Sequence, residues 1–226
     1  MTTSTPNDHE NGVNDAPISG GIADILTLMR VLLTPVIMFI IIKGWPLNGY
    51  AALASGLFIF AAITDFLDDY FGGTETAPQR RFGWFDDIAD IILVIGTLLA
   101  MAWVIHKSGW MSWMIAVPMV IFIGKELFIG LTKGFELSNL NPIEDNLATA
   151  KNALSMLAIS VLLASPWLTT WFDTLRAAED PFATYNEASP VFWLIGTGLL
   201  WLAALVGLFH GFRLLQATAH VKNGDA

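Results

Sequence analysis

The sequence predicts an all-α integral membrane protein, six transmembrane helices preceded by a short N-terminal interfacial helix. Three observations predict it. Of 226 residues, 54% are hydrophobic and only 14% charged, whereas soluble domains carry about 25% charged residues. The apolar residues gather in six segments, at 22–43, 48–68, 84–106, 110–132, 147–171 and 190–216, each near the roughly 20 residues that a membrane helix needs. Turn-forming and charged residues fall between them, at 44–49, 72–83, 107–109, 139–146 and 173–190.

Taken in order, residues 1–17 are polar, acidic and turn-rich, with Pro6, Asn7, Asp8, Glu10, Gly12, Asp15 and Pro17. They hold too little apolar surface to offset the entropy of ordering and read as a disordered tail. No basic stretch precedes a short apolar core, so a cleavable signal peptide is not expected. The interfacial helix is expected around 18–28, the membrane domain over 18–216 and a C-terminal tail over 217–226. Six spans put both termini on one side. Arg80, Arg81, Lys133, Lys151, Arg213 and Lys222 lie at that side, against Lys43, Lys107 and Arg176 at the other. The excess of Lys and Arg marks the cytoplasmic face. Termini and site are therefore expected to face the cytoplasm, from a bacterial inner (cytoplasmic) membrane.

The same numbers exclude other classes. A net charge of −9 gives no basic field for a polyanion, so no nucleic-acid partner is expected. There are no cysteines, which removes disulfide scaffolds, thiol nucleophiles and thiolate metal sites. The segments do not pair up as the inverted halves of a transporter would.

The chemistry is concentrated in residues 64–90, which read TDFLDDYFGGTETAPQRRFGWFDDIAD. Asp65 and Asp68 end the second segment three residues apart. Asp86 and Asp90 open the third, four apart. Each spacing places a pair on one helix face, and antiparallel neighbours would bring both pairs to the same membrane surface. After Asp90 the uncharged run covers only residues 91–105. At 1.5 Å per residue that is about 22 Å, short of the roughly 30 Å hydrocarbon core. Asp90 is thereby drawn below the headgroups, where a carboxylate is costly unless it meets a partner, a polar cavity or an ion. Four converging carboxylates without His or Cys favour Mg²⁺, Mn²⁺ or Ca²⁺ over zinc. Solvated helix ends, with acids stabilised near a helix start, are the plainer account of such pairs.

This stretch resembles the signature of the CDP-alcohol phosphatidyltransferases, D-x-x-D-G-x-x-A-R followed by G-x-x-x-D-x-x-x-D. The family aspartates match Asp65, Asp68, Asp86 and Asp90. Outside the motif, Leu26-Thr27-Leu28-Met29-Arg30, Lys125-Glu126-Leu127 and Ala148-Thr149-Ala150-Lys151 resemble segments of its phosphatidylglycerophosphate synthase branch. Four positions depart from the pattern: Asp69 replaces the family Gly, Gly72 the Ala and Gly73 the Arg, and Gly83 stands one residue too close to Asp86. In the family these positions shape the cytidine and diphosphate pocket. Arg80 or Arg81 would replace the lost arginine.

The resemblance implies transfer of a phosphatidyl group from CDP-diacylglycerol to a small polar alcohol, with glycerol 3-phosphate the leading acceptor and CMP the leaving group. It implies two Mg²⁺ or Mn²⁺ ions on Asp65, Asp68, Asp86 and Asp90, with Asp90 also the general base. It implies a homodimer among membrane lipids. Asp69, Gly72, Arg80 and Arg81 would contact substrate. Lys133 and Lys151, with Arg30, would form a pocket for an acidic acceptor. Lys125 and Glu126, inside the fourth segment, would line the polar cavity. Adjacent residues do not face each other on a helix, so each of these two is expected to find a different partner. Two other readings remain: a non-catalytic binding protein with an altered nucleotide pocket, and a small cation transporter. The charges cluster at one face, which disfavours the transporter.

Overall fold

The computed structural model describes residues 19–70, 83–109, 111–136, 146–179 and 191–224, with side chains placed over 24–65, 88–109, 111–128, 150–175 and 191–213. These residues form six helices: α1 (Ser19–Gly44), α2 (Asn48–Tyr70), α3 (Gly83–Lys107), α4 (Trp113–Glu136), α5 (Asn146–Glu179) and α6 (Val191–Gly224). α1 packs on α2 and α3, α2 on α5, α5 along α6, and α6 on α4.

Four helices contain a stretch long and apolar enough to cross a membrane: Asp24–Gly44, Ile88–Lys107, Ala150–Leu175 and Val191–Arg213. Their outward faces are apolar. Leu32, Phe39, Trp103, Val120, Leu205 and Phe209 are exposed, while Arg30, Thr97, Lys125, Glu126 and Lys151 are buried. An apolar outside around polar groups is the arrangement that lipid favours, because the outer side chains lose nothing by facing hydrocarbon.

The buried faces follow helical periodicity. On α1 the buried stripe runs Thr27, Arg30, Thr34, Ile37, Ile41; on α6 it runs Leu200, Ala203, Ala204, His210. Both stripes are apolar in mid-helix and polar toward one end. On α2, Ala51, Ala54, Phe58 and Ala61 are buried, and small residues at such spacing let neighbouring helices approach closely. The core joins Ile37, Phe58, Leu93, Met101, Phe122, Ile159 and Leu162.

Two boundaries differ from expectation. α1 runs unbroken from Ser19 to Gly44, so the interfacial helix expected at 18–28 is not a separate element; nothing between Ile22 and Arg30 breaks a helix, and Pro35 is accommodated inside it. α5 and α6 reach Glu179 and Gly224, well past the apolar segments. Hydropathy marks where lipid ends, whereas a helix propagates by backbone hydrogen bonds as long as no breaker intervenes.

Candidate active site

The sites lie at one end of the bundle because successive helices alternate in direction. Arg30 in the first half of α1 reaches Asp65 near the end of α2 and Asp90 near the start of α3. At the opposite end Asn48 Nδ2, opening α2, donates to Thr170 Oγ1 late in α5 (3.1 Å).

Arg30 is fully buried, and its Nη1 donates to Asp65 Oδ1 at 2.7 Å and also to Asp90 Oδ1. One cationic nitrogen thus joins carboxylates from two helices. The backbone beneath is fixed locally: Thr34 Oγ1 donates to the Arg30 carbonyl (2.9 Å) and Thr64 Oγ1 to the Ala61 carbonyl (2.6 Å). Among the described residues the group holds one positive and two negative charges. The side chains of Asp65 and Asp90 are 18% and 14% exposed, so the carboxylates meet solvent at their rim.

A second group joins α4 and α5. Glu126 Oε1 accepts from Lys125 Nζ at 2.6 Å and from Lys151 Nζ at 3.0 Å. Lys125 Nζ also lies over the Phe122 ring, 4.4 Å from its centroid, a favourable seat for a cation. α6 closes over the lysine at Gly207, where a Cβ would stand 2.2 Å from Lys125 Nζ. Buried His210 lies three residues further along the same helix. Among the described residues this group carries two positive charges and one negative, the inverse of the first.

The sequence-predicted residues divide accordingly. Arg30, Asp65 and Asp90 come together, with Arg30 on the aspartates rather than beside the lysines. Lys125 and Lys151 come together through Glu126. Asp68 and Asp69 belong to the last turns of α2, Asp86 to the first turn of α3 and Lys133 to α4, but their side chains lie outside the described residues, as do Gly72, Arg80 and Arg81. Among the described residues no three His, Cys, Asp or Glu side chains gather as a metal site. The donor chemistry nevertheless suits a hard cation, since two carboxylates from different helices already converge on one positive atom.

Sequence reasoning separated Lys125 from Glu126, and the structure corrects this: the two adjacent side chains bond each other. Their Cβ atoms diverge, but the long stems of Lys and Glu curl back to meet. His210, buried on α6, is not among the residues the sequence singles out. Its spacing from Gly207 on the buried face of α6 was the available signal.

The described residues are all helical, with apolar outer faces and two buried charged groups at one end, an arrangement consistent with an integral membrane protein. The chain belongs to the CDP-alcohol phosphatidyltransferase family, whose model matches residues 21–209. It is similar to the CDP-diacylglycerol–glycerol-3-phosphate 3-phosphatidyltransferase of Pseudomonas fluorescens, 33% identical over 162 residues, covering 70% of this chain and 79% of that one. It is 28% identical over 211 residues to the enzyme of the same name from Cereibacter sphaeroides, covering 84% of this chain and 92% of that one. A CMP-forming cardiolipin synthase of Oryza sativa is 29% identical over 175 residues, covering 73% of this chain and 50% of that one.

Proposed function

We propose that this chain transfers the phosphatidyl group of CDP-diacylglycerol to glycerol 3-phosphate. The observation that carries the reading is that α2 and α3 bring Asp65 and Asp90, first and last of the four motif aspartates, onto one atom of Arg30. The similarity to two enzymes named for this reaction supports the choice of acceptor.

In this reading Asp65, Asp68, Asp86 and Asp90 hold two Mg²⁺ or Mn²⁺ ions. When bound, such ions neutralise charge on the diphosphate and on the leaving phosphate. Asp90 takes the proton of the acceptor hydroxyl. The acceptor oxygen bonds to the lipid-side phosphorus, the bond from that phosphorus to the CMP oxygen breaks, and CMP departs. Lys125, Lys133 and Lys151 attract the phosphate of the acceptor. Asp69, Gly72, Arg80 and Arg81 border the nucleotide. All six helices span the membrane, the termini and site face the cytoplasm, and the chain works as a homodimer among membrane lipids.

The test is CMP release by purified protein from CDP-diacylglycerol and Mg²⁺, with and without glycerol 3-phosphate, beside Asp90→Asn. Release should require both acceptor and Mg²⁺. It should fall about 10²-fold or more in the variant, the scale of a general base, with the variant's thermal unfolding showing that it is folded. Release with phosphatidylglycerol instead of glycerol 3-phosphate would replace the acceptor. Silence with every alcohol, while CDP-diacylglycerol still binds, would overturn the transfer itself.

A further inference from the structure

Arg30 is placed where the reaction proposed above needs a different cation. Its Nη1 binds one oxygen of Asp65 and one of Asp90, and hydrogen bonds of this charge-assisted kind are among the stronger ones. A carboxylate oxygen occupied in this way is less available to a metal ion or to the proton of an alcohol. The guanidinium is fully buried, so it has no bulk water to retreat into. The two aspartates are needed to offset its burial, and it offsets theirs. A divalent ion on the same oxygens would sit within a few ångströms of this fixed positive charge. Two like charges that close repel strongly even at an effective dielectric of about 20.

We infer that Arg30 is an exchangeable internal counterion of the Asp65–Asp90 pair. The guanidinium and a divalent cation compete for the same carboxylate oxygens, and cation binding turns Arg30 away from them. The inference rests on the reading that these aspartates hold the metal. It makes Arg30 a positioning residue: it keeps α1, α2 and α3 registered while the cation is away and yields the oxygens when the cation arrives. Thr34, one turn along α1, keeps its bond to the Arg30 carbonyl, so the α1 backbone stays in place while the guanidinium turns to another polar partner within the protein.

The experiment follows Mn²⁺ binding to the purified full chain by electron paramagnetic resonance, and thermal unfolding with Mg²⁺ or with EDTA. Wild type is compared with Arg30→Gln, Arg30→Lys and the double variant Arg30→Gln/Asp65→Asn. Arg30→Gln should unfold at lower temperature than wild type in EDTA, gain more from Mg²⁺, and bind Mn²⁺ about tenfold more tightly or better, since its competitor is gone. Arg30→Lys keeps the charge and should stay near wild type in Mn²⁺ affinity. The double variant restores charge balance and should recover part of the stability lost in EDTA. Mn²⁺ binding in Arg30→Gln no tighter than wild type would overturn the inference and leave the metal reading standing. No Mn²⁺ binding by wild type or variant would overturn both.

If Arg30→Gln does not fold, wild type decides, with Arg30→Lys serving only to assign the signal. The chain has five arginines, so the Nε resonance of Arg30 can be assigned by its loss in Arg30→Lys. It should shift when Mg²⁺ is added and not with Na⁺. An unmoved resonance at saturating Mg²⁺ would overturn the exchange.

Discussion

Glu126 offers one oxygen to two ammonium groups, and the consequences at the residue scale follow from that asymmetry. Glu126→Gln leaves two buried lysines facing each other without an anion. Removing one partner of a buried ionic group costs about 3–5 kcal/mol, so this variant should show a large fall in denaturant or thermal midpoint in detergent. Lys151→Met removes a charge but keeps the Lys125–Glu126 pair, so its stability loss should be clearly the smaller of the two. Under the proposed function its activity defect should appear mainly as a raised KM for glycerol 3-phosphate, because it removes an attraction present before and during transfer. A KM left unchanged would move the acceptor away from these lysines. The meeting of Asp65 and Asp90 was legible in the sequence because alternating helix directions bring the end of one segment and the start of the next to one side. The glutamate's partners were not. A rule about where Cβ atoms point says nothing of how far a Lys or Glu stem bends back, and no local pattern tells that Lys151 comes from the next helix.

At the scale of the element, two glycines on α6 set how closely it lies against its neighbours. At Gly196 a Cβ would stand 2.8 Å from Leu162 Cγ and 3.1 Å from the Leu162 backbone nitrogen. Backbone cannot swing aside, so Gly196→Ala must part α5 from α6, at about 1–3 kcal/mol for overpacking. At Gly207 the obstacle is the flexible end of Lys125. Gly207→Ala should therefore unfold nearer to wild type than Gly196→Ala, while displacing Lys125 from Glu126 and lowering activity. Paired melting curves and CMP-release assays check the contrast; equal stability losses would show that Lys125 has no room to move. The helices themselves were readable from hydropathy to within a few residues at most ends. The exceptions are the far ends of α5 and α6, where stretches such as 217–224 are helical without being apolar and give a hydropathy reading no reason to extend them. The close approach of α6 was not readable either: glycines at 196, 198 and 207 look alike in sequence, yet a Cβ at Gly198 would meet nothing.

Across the whole molecule, the buried ionic groups and the indole hydrogen bonds lie toward opposite ends. The Arg30 and Glu126 groups occupy one end. Near the other, Trp45 Nε1 donates to the Leu163 carbonyl (3.2 Å) and Trp167 Nε1 to Ser55 Oγ (3.1 Å), and the Trp45 and Trp193 rings lie 6.1 Å apart. Indoles favour the membrane–water boundary, and in the proposed arrangement these tryptophans lie toward the interface opposite the ionic groups. In the proposed arrangement the end richer in lysine and arginine faces the cytoplasm. The absence of cysteine from the sequence makes this testable with single substitutions on an otherwise silent background. Ser4→Cys, in the N-terminal stretch, and Asn223→Cys, in the last turn of α6, should react with a membrane-impermeant maleimide only from the cytoplasmic side of oriented vesicles. Ser108→Cys, exposed just past the end of α3, should react only from the opposite side. Ser4 and Asn223 labelled from opposite sides would require an odd number of crossings and remove the six-span arrangement. Ser4 and Asn223 together on the outer side would keep six spans but invert the protein. The proposed reaction would then face a compartment without the cytoplasmic pool of phosphorylated acceptor, so orientation and activity stand or fall as one claim.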